Sequence, residues 1–334
     1  MRNGRHVAEV QELLGQKVFA LANNSVGMRT TPRARELWGA LDGLVSERVR
    51  ADVECALRET QAGMAEDLLL LPTLLSLTGG APGVFVELGA ADGMTGSNTF
   101  MLERCFNWTG LLIEANPGNF ALLKERSGRR APIVHSSVCN EGSVPFTRFG
   151  GMNAARIDAM TDSFKKSNSA KHQLDKEDNV VQVPCHKLSA LLDDAGFGHV
   201  HYFSLDVEGA EEHVLNATDV GRFDLIETEA LPKQGMSWDS LVLEQPGRQR
   251  RIDERLHASG FILSDPLWIP WGRVYLSAAQ AGKVRPLAGA PDRRALPPKP
   301  PGDTKSWRDP WLSGFTWFHK KLGRFAGPRK WLQR

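Results

Sequence analysis

After the breaker cluster Gly79-Gly80-Ala81-Pro82-Gly83, short apolar runs alternate with amphipathic stretches as far as Leu276. That alternation restricts the fold more than any other feature of the chain. Val84–Leu88, Gly110–Glu114, Ile133–Val138, Tyr202–Asp206, Phe223–Glu229, Phe261–Leu263 and Arg273–Leu276 read as strands. Ser97–Phe106, Asn119–Arg126, Leu188–Asp194, Ala210–Leu215 and Ile252–Ser259 read as helices, the first with Ser97 as N-cap. Strands separated by helices make right-handed βαβ units, so the chain predicts an α/β fold: a three-layer, doubly wound, mostly parallel sheet. The last two strands have no helix between them and are expected to pair antiparallel at an edge, unlike a plain dinucleotide-binding sheet.

Three segments follow from this pattern: a helical N-terminal extension over 1–80, the α/β domain over 81–278, and a Pro-rich linker with a basic, Trp-rich, irregular tail over 279–334. In the extension, Val7, Val10, Leu13, Leu14, Val18 and Leu21 recur at helical spacing. A second helix is expected from Thr31 or Pro32 toward Arg58, and a third over Glu66–Leu77. The polar, glycine-led stretch 149–179 interrupts the alternation and is expected to form a mobile flap over the cleft.

Net charge is +2, which does not suggest a nucleic-acid binder, but the charge is uneven. From Arg285 to Arg334 there are 12 Lys and Arg against three Asp, which leaves the rest of the chain acidic. Such a tail, with Trp307, Trp311, Trp317 and Trp331, is open to weak contact with a membrane or a protein. No apolar run is long enough for a transmembrane helix, and no secretory signal is seen, so a cytoplasmic setting is expected. Cys55, Cys105, Cys139 and Cys185 are widely spaced without a C-x-x-C, which favours buried free thiols over a zinc knuckle or a disulfide scaffold.

Chemistry concentrates at the ends of strands. Val84–Leu88 runs through Glu87 into the turn Gly89-Ala90-Ala91-Asp92-Gly93, where Gly89 permits a tight bend and Gly93 a close approach to the backbone. In an open parallel sheet, ligands bind at this end of the strands. Twenty-one residues past Gly93, the next strand ends in Glu114, suited to the two ribose hydroxyls of a nucleoside. Two carboxylates in and before the turn would repel a pyrophosphate. They suit S-adenosylmethionine, which carries an ammonium and a sulfonium. Tyr202–Asp206 ends in Asp206, followed closely by Glu208, so a donor-orienting, proton-accepting or metal-binding role is open there. His199 and His201 share one strand parity and Asp206 and Glu208 the other, so one shared metal face is not expected, and no metal is predicted.

VELGAADG, then Ser97-Asn98-Thr99 with Leu102-Glu103, then Trp108-Thr109-Gly110-Leu111-Leu112-Ile113-Glu114-Ala115-Asn116-Pro117, then SLDVEGAEEHVL resemble the FkbM methyltransferases. The resemblance implies a class I methyltransferase fold, S-adenosyl-L-methionine as cofactor, and O-methylation of a sugar or other small-molecule hydroxyl. Carried over by position, Glu87, Gly89, Asp92 and Gly93 would line the methionine half of the cofactor, with Ala90 and Asn98 among its other contacts. Glu114 would hold the ribose, Asn140 would contact adenine, and Asp206 and Glu208 would sit beside the transferred methyl, Asp206 as first candidate for the base. The competing readings are a non-catalytic binding or trafficking protein that keeps the fold, and a nicotinamide-dependent oxidoreductase, whose phosphate-binding turn is missing. The acceptor and the oligomeric state are not named by the sequence.

Overall fold

The computed structural model describes residues 47–63, 66–140, 142–151, 154–160, 165, 177–229, 247–264 and 272–282. The expected helix at 7–21, the basic tail and much of the stretch 149–179 lie outside the described residues.

Among the described residues, two helices, α1 (Glu47–Glu59) and α2 (Glu66–Leu77), come first. Strand β1 (Val84–Leu88) leads to α3 (Phe100–Phe106), β2 (Thr109–Glu114), α4 (Pro117–Arg126), β3 (Ile133–His135) and β4 (Ser137–Val138). Then come β5 (Gly142–Thr147), β6 (Val180–His186), α5 (Leu188–Asp194), β7 (Val200–Leu205), α6 (Glu211–Asn216), β8 (Phe223–Glu229), α7 (Arg248–Ala258), β9 (Phe261–Leu263) and β10 (Gly272–Ser277).

Seven strands form one sheet in the order β3-β2-β1-β7-β8-β10-β9. The pairs β1–β2, β1–β7, β2–β3 and β7–β8 are parallel, while β10 runs antiparallel to both β8 and β9. The order reverses between β1 and β7, and that switch point opens a crevice at the carboxyl ends of the strands. The last two strands do pair antiparallel at the edge, as their missing crossover helix implies.

Both faces of the sheet are covered, so its central strands are apolar almost throughout. One core joins Phe85, Leu112, Tyr202, Leu225 and Val274 to the leucines of α2 and to α1 and α3. Helix α2 is buried over most of its surface, with Leu68, Leu70, Leu71 and Leu74 at 0% exposure. The other core joins Val86, Leu111, Phe203 and Ile226 to α5, α6 and α7.

Four expectations change. Helix α3 begins at Phe100 rather than Ser97, although the Ser97 hydroxyl still accepts the Phe100 N–H at 3.1 Å. The expected strand 133–138 divides at Ser136, with β3 in the large sheet and β4 in a second, three-stranded sheet of order β4-β6-β5. Strands β5 and β6 were not expected at all. The cysteines are not free: Cys55 pairs with Cys105 and Cys139 with Cys185, with Cα atoms 5.7 and 5.6 Å apart. Bridges of this kind persist in oxidising compartments. No helix among the described residues is long and apolar enough to cross a membrane.

Candidate active site

The crevice at the switch point is lined by Gly89 and Ala91 after β1, Glu114 at the end of β2, Val138 at the end of β4, and Asp206 and Glu208 after β7. Phe146, Gly151, Ala154 and Arg156, from the second sheet and the stretch that follows it, wall the open side.

Gly89 shapes the floor. Its φ is +91°, and a Cβ there would lie 1.8 Å from the Asp206 carbonyl oxygen. Only glycine lets the turns after β1 and β7 approach so closely. Gly89 and Ala90 both donate N–H to the Ile113 carbonyl, at 3.0 and 3.1 Å, which fastens the first turn to β2. Ala91 and Glu208 both carry left-handed backbones, with φ of 48° and 52°. Non-glycine residues adopt this region at a cost of order 1 kcal/mol, and such strain concentrates in ligand-binding turns.

Glu114 is 4% exposed and faces the crevice. One carboxyl oxygen accepts the Ala91 N–H at 2.7 Å and the other the Asn116 N–H at 2.6 Å. A carboxylate oxygen can accept more than one hydrogen bond, and Glu114 lines the crevice. Burial pushes its pKa up to about 7 in spite of these hydrogen bonds. Asn116 caps α4 through Gly118 and Asn119 and donates to the Thr147 and Phe149 carbonyls. Asn119 binds both the N–H and the carbonyl of Gly151. The wall of the crevice is therefore tied to the helix that follows Glu114.

Asp206 and Glu208 are partly buried, and each has a carboxyl oxygen within 4.8 Å of one on Glu229, at the end of β8. Burial raises Glu208 to about 8, with the Asp206 charge adding to the shift. Burial raises Asp206 and Glu229 as well, and the nearby Asp206 charge adds to the shift on Glu229. One register step below, Glu87, Ser204 and Glu227 stand abreast on neighbouring strands. Asn98 donates to Ser204 at 3.1 Å and to Glu227 at 3.4 Å, and the Tyr202 hydroxyl bonds Glu227. Glu227 and Glu229 were missed in the sequence. The signal was available, because an apolar strand ending in an acid had already singled out Glu114 and Asp206.

The crevice thus gathers Gly89, Glu114, Asp206 and Glu208, but not the other expected contacts. Glu87 points beneath the turn, where it accepts from Ser97 Oγ, the Asn98 N–H, Thr99 Oγ1 and Arg129. Asp92 folds onto its own loop and accepts the Met94 and Thr95 N–H groups at 2.9 and 2.7 Å. Gly93 serves packing: a Cβ there would lie 2.4 Å from Leu123 Cδ1. Ala90 is a core residue, Asn98 belongs to the buried row, and Asn140 is exposed on the rim. Of these acids, Glu114, Asp206 and Glu208 line the crevice, whereas Glu87 and Asp92 do not.

His199, His201 and Asp224 cluster at the opposite ends of β7 and β8. His199 Nε2 lies 2.9 Å from Asp224, and His201 Nδ1 accepts the Val84 N–H at 3.0 Å, so neutral His201 carries its proton on Nε2.

The sheet order, the turn at its switch point and the acid closing β2 define a methyltransferase-type α/β protein. The model of the methyltransferase FkbM domain matches residues 87–258, more than half of the chain. The chain belongs to the FkbM methyltransferase family. Among solved structures it is similar to methyltransferase FkbM from Methylobacillus flagellatus KT, at 12% identity over 73% of this chain and 65% of that one, with a TM-score of 0.33. It is similar to a putative caffeoyl-CoA O-methyltransferase from Staphylococcus aureus, at 10% identity over 73% and 98%, with a TM-score of 0.36. It is also similar to precorrin-6y C5,15-methyltransferase from Geobacter metallireducens GS-15, at 14% identity over 59% and 72%, with a TM-score of 0.31. Likeness at this level carries no functional information about this chain. No curated protein matches it.

Proposed function

We propose that the chain is an S-adenosylmethionine-dependent O-methyltransferase acting on a hydroxyl of a sugar or other small molecule, with the crevice beside Gly89, Glu114 and Asp206 as its active site. The observation that carries the reading is Glu114: a buried carboxylate at the end of β2, pinned by two backbone N–H groups and lining the crevice. That is what the vicinal hydroxyls of a ribose require. The residues present fit the cofactor in charge as well, because Glu114, Asp206 and Glu208 supply acids and Arg156 is occupied by Asp158 at 2.7 Å.

When bound, the cofactor supplies an electrophilic methyl group on a positively charged sulfur. The protein's part is to bind, orient and exclude water. Gly89 and Ala91 give a floor on which a ligand can lie against the backbone. Phe146 and Ala154 cover the open side with apolar surface. Asp206 is the group to accept the acceptor's hydroxyl proton. Its raised pKa brings it toward that of a useful base near neutrality. Residues 81–278 would form the catalytic unit.

The test is calorimetric titration of S-adenosylmethionine and S-adenosylhomocysteine into wild type and Glu114→Ala. Micromolar binding to wild type, weakened at least tenfold in the variant (about 1.4 kcal/mol), is expected. Folded wild-type protein that binds neither compound overturns the reading.

A further inference from the structure

The turn that lines the crevice is held from below by a side chain that never reaches it. Arg129, in the link between α4 and β3, has 0% side-chain exposure. Its guanidinium spends all its donor groups inside the protein. Nε donates to Glu103 at 3.1 Å, and Nη2 to Thr99 Oγ1 at 2.8 Å. Nη1 donates to the Gly93 carbonyl at 2.9 Å, to Ser97 Oγ at 3.2 Å and to Glu87 at 3.4 Å. The rings of Phe85 and Phe100 flank it, 5.5 and 5.6 Å from the guanidinium carbon.

These contacts bracket the turn. Glu87 lies two residues before Gly89, and Gly93 closes the turn, so one planar group fixes both ends. Between them, Ala91 presents its N–H to Glu114 from a left-handed backbone. A shift of the Gly93 carbonyl would carry Ala91 away from Glu114. Glu103 anchors Arg129 from the far side without touching the turn. It also accepts the Arg130 and Ala131 N–H groups and pairs with the exposed Arg130 guanidinium, at 3.8 Å. Two arginines thus balance two buried glutamates.

We propose that Arg129 is the positioning residue of the crevice, holding the Gly89–Gly93 turn in the shape that a ligand meets. Only the affinity arm of its test rests on the cofactor reading above. Arg129→Lys keeps the charge but cannot span Glu103, Thr99 and the Gly93 carbonyl together. Thr99→Val removes one acceptor of Arg129 and, with it, one donor to Glu87, and it serves if the lysine variant does not fold. Glu103→Gln is the control, because it weakens the anchor and leaves the turn contacts in place.

The measurements are hydrogen exchange on the peptide covering 89–95, affinity for S-adenosylhomocysteine, and melting temperature. At a temperature where all variants are folded, Arg129→Lys is expected to speed exchange in 89–95 at least tenfold, with peptides from β8 unchanged. It should weaken binding at least tenfold. Thr99→Val should do both by about threefold. Glu103→Gln should lower the melting temperature and leave exchange and affinity within twofold of wild type. A purely structural arginine gives the opposite pattern: Arg129→Lys and Glu103→Gln both melt earlier, and neither alters exchange or affinity in the folded state. That result, or unchanged exchange in Thr99→Val when the lysine variant does not fold, overturns the proposal. If wild type binds no S-adenosylhomocysteine but the exchange pattern holds, the cofactor reading fails and the role of Arg129 in ordering the turn stands.

Discussion

Gly89 is the position where a single methyl group has nowhere to go. A Cβ would meet the Asp206 carbonyl, which is backbone whose N–H is bonded to the Leu88 carbonyl at 3.1 Å, so no side-chain adjustment relieves it. The φ of +91° adds strain for any L side chain. Gly89→Ala is expected to cost about 3 kcal/mol or more in urea unfolding and to abolish cofactor binding in what remains folded. A fully stable alanine variant would show that the two turns are not in contact. Gly89 was legible from sequence because the turn it makes has a pattern. The directions of Glu87 and Asp92 were not, because proximity along the chain does not say which side of a turn a carboxylate takes. Ser97 and Thr99 lie within reach of Glu87, and Arg129 lies far along the chain. Only the folded packing shows that these three, rather than a ligand, satisfy it.

At the scale of elements, the strands and helices of the large sheet were legible because each is a run with its own period. The second sheet was not. Strand β5 carries Pro145 and β6 carries Pro184, and proline argues against a strand. Both are tolerated for a local reason: β5 is an edge strand, and β4 pairs β6 only at Cys185 and His186, so Pro184 has no β4 partner to lose. The cysteine pairs were hidden for a different reason, since their partners are 50 and 46 residues apart. The Cys55–Cys105 bridge fastens α1 to α3. Closing a loop of that length restricts the unfolded chain by about 4 kcal/mol in the chain-entropy picture. Cys55→Ser with Cys105→Ser is therefore expected to lower unfolding free energy by about 2–4 kcal/mol. Thermal melts of oxidised protein with and without reductant check this in the wild type. Identical melts would mean that the bridge adds nothing.

Over the described residues as a whole, the unusual feature is the set of buried carboxyl groups. Burial raises Asp67 and Glu114 to about 7 and Glu208 to about 8, and it raises Asp206, Glu227 and Glu229 too. In the unfolded chain these groups ionise near their ordinary values of 3.8 and 4.5. Between about pH 4.5 and pH 8 the unfolded state has therefore lost protons that the folded state retains. The stability these groups contribute is complete below that window and is lost as pH rises through it. Asp158 and Glu212, held below their ordinary values by Arg156 and Arg251, act in the opposite sense, but only at more acid pH. Ligand-free protein should melt highest near pH 5 and progressively lower toward pH 8, and Glu114→Gln should flatten that slope. A positively charged ligand reverses the balance, because it binds best to the ionised crevice. S-adenosylmethionine, with its sulfonium, should gain affinity from pH 6 to pH 8 more steeply than S-adenosylhomocysteine, whose sulfur is neutral. Parallel titrations of the two compounds across that range measure the difference directly. Equal slopes would mean that the carboxylates at the floor of the crevice do not face the sulfur, and Asp206 would lose its place beside the transferred methyl.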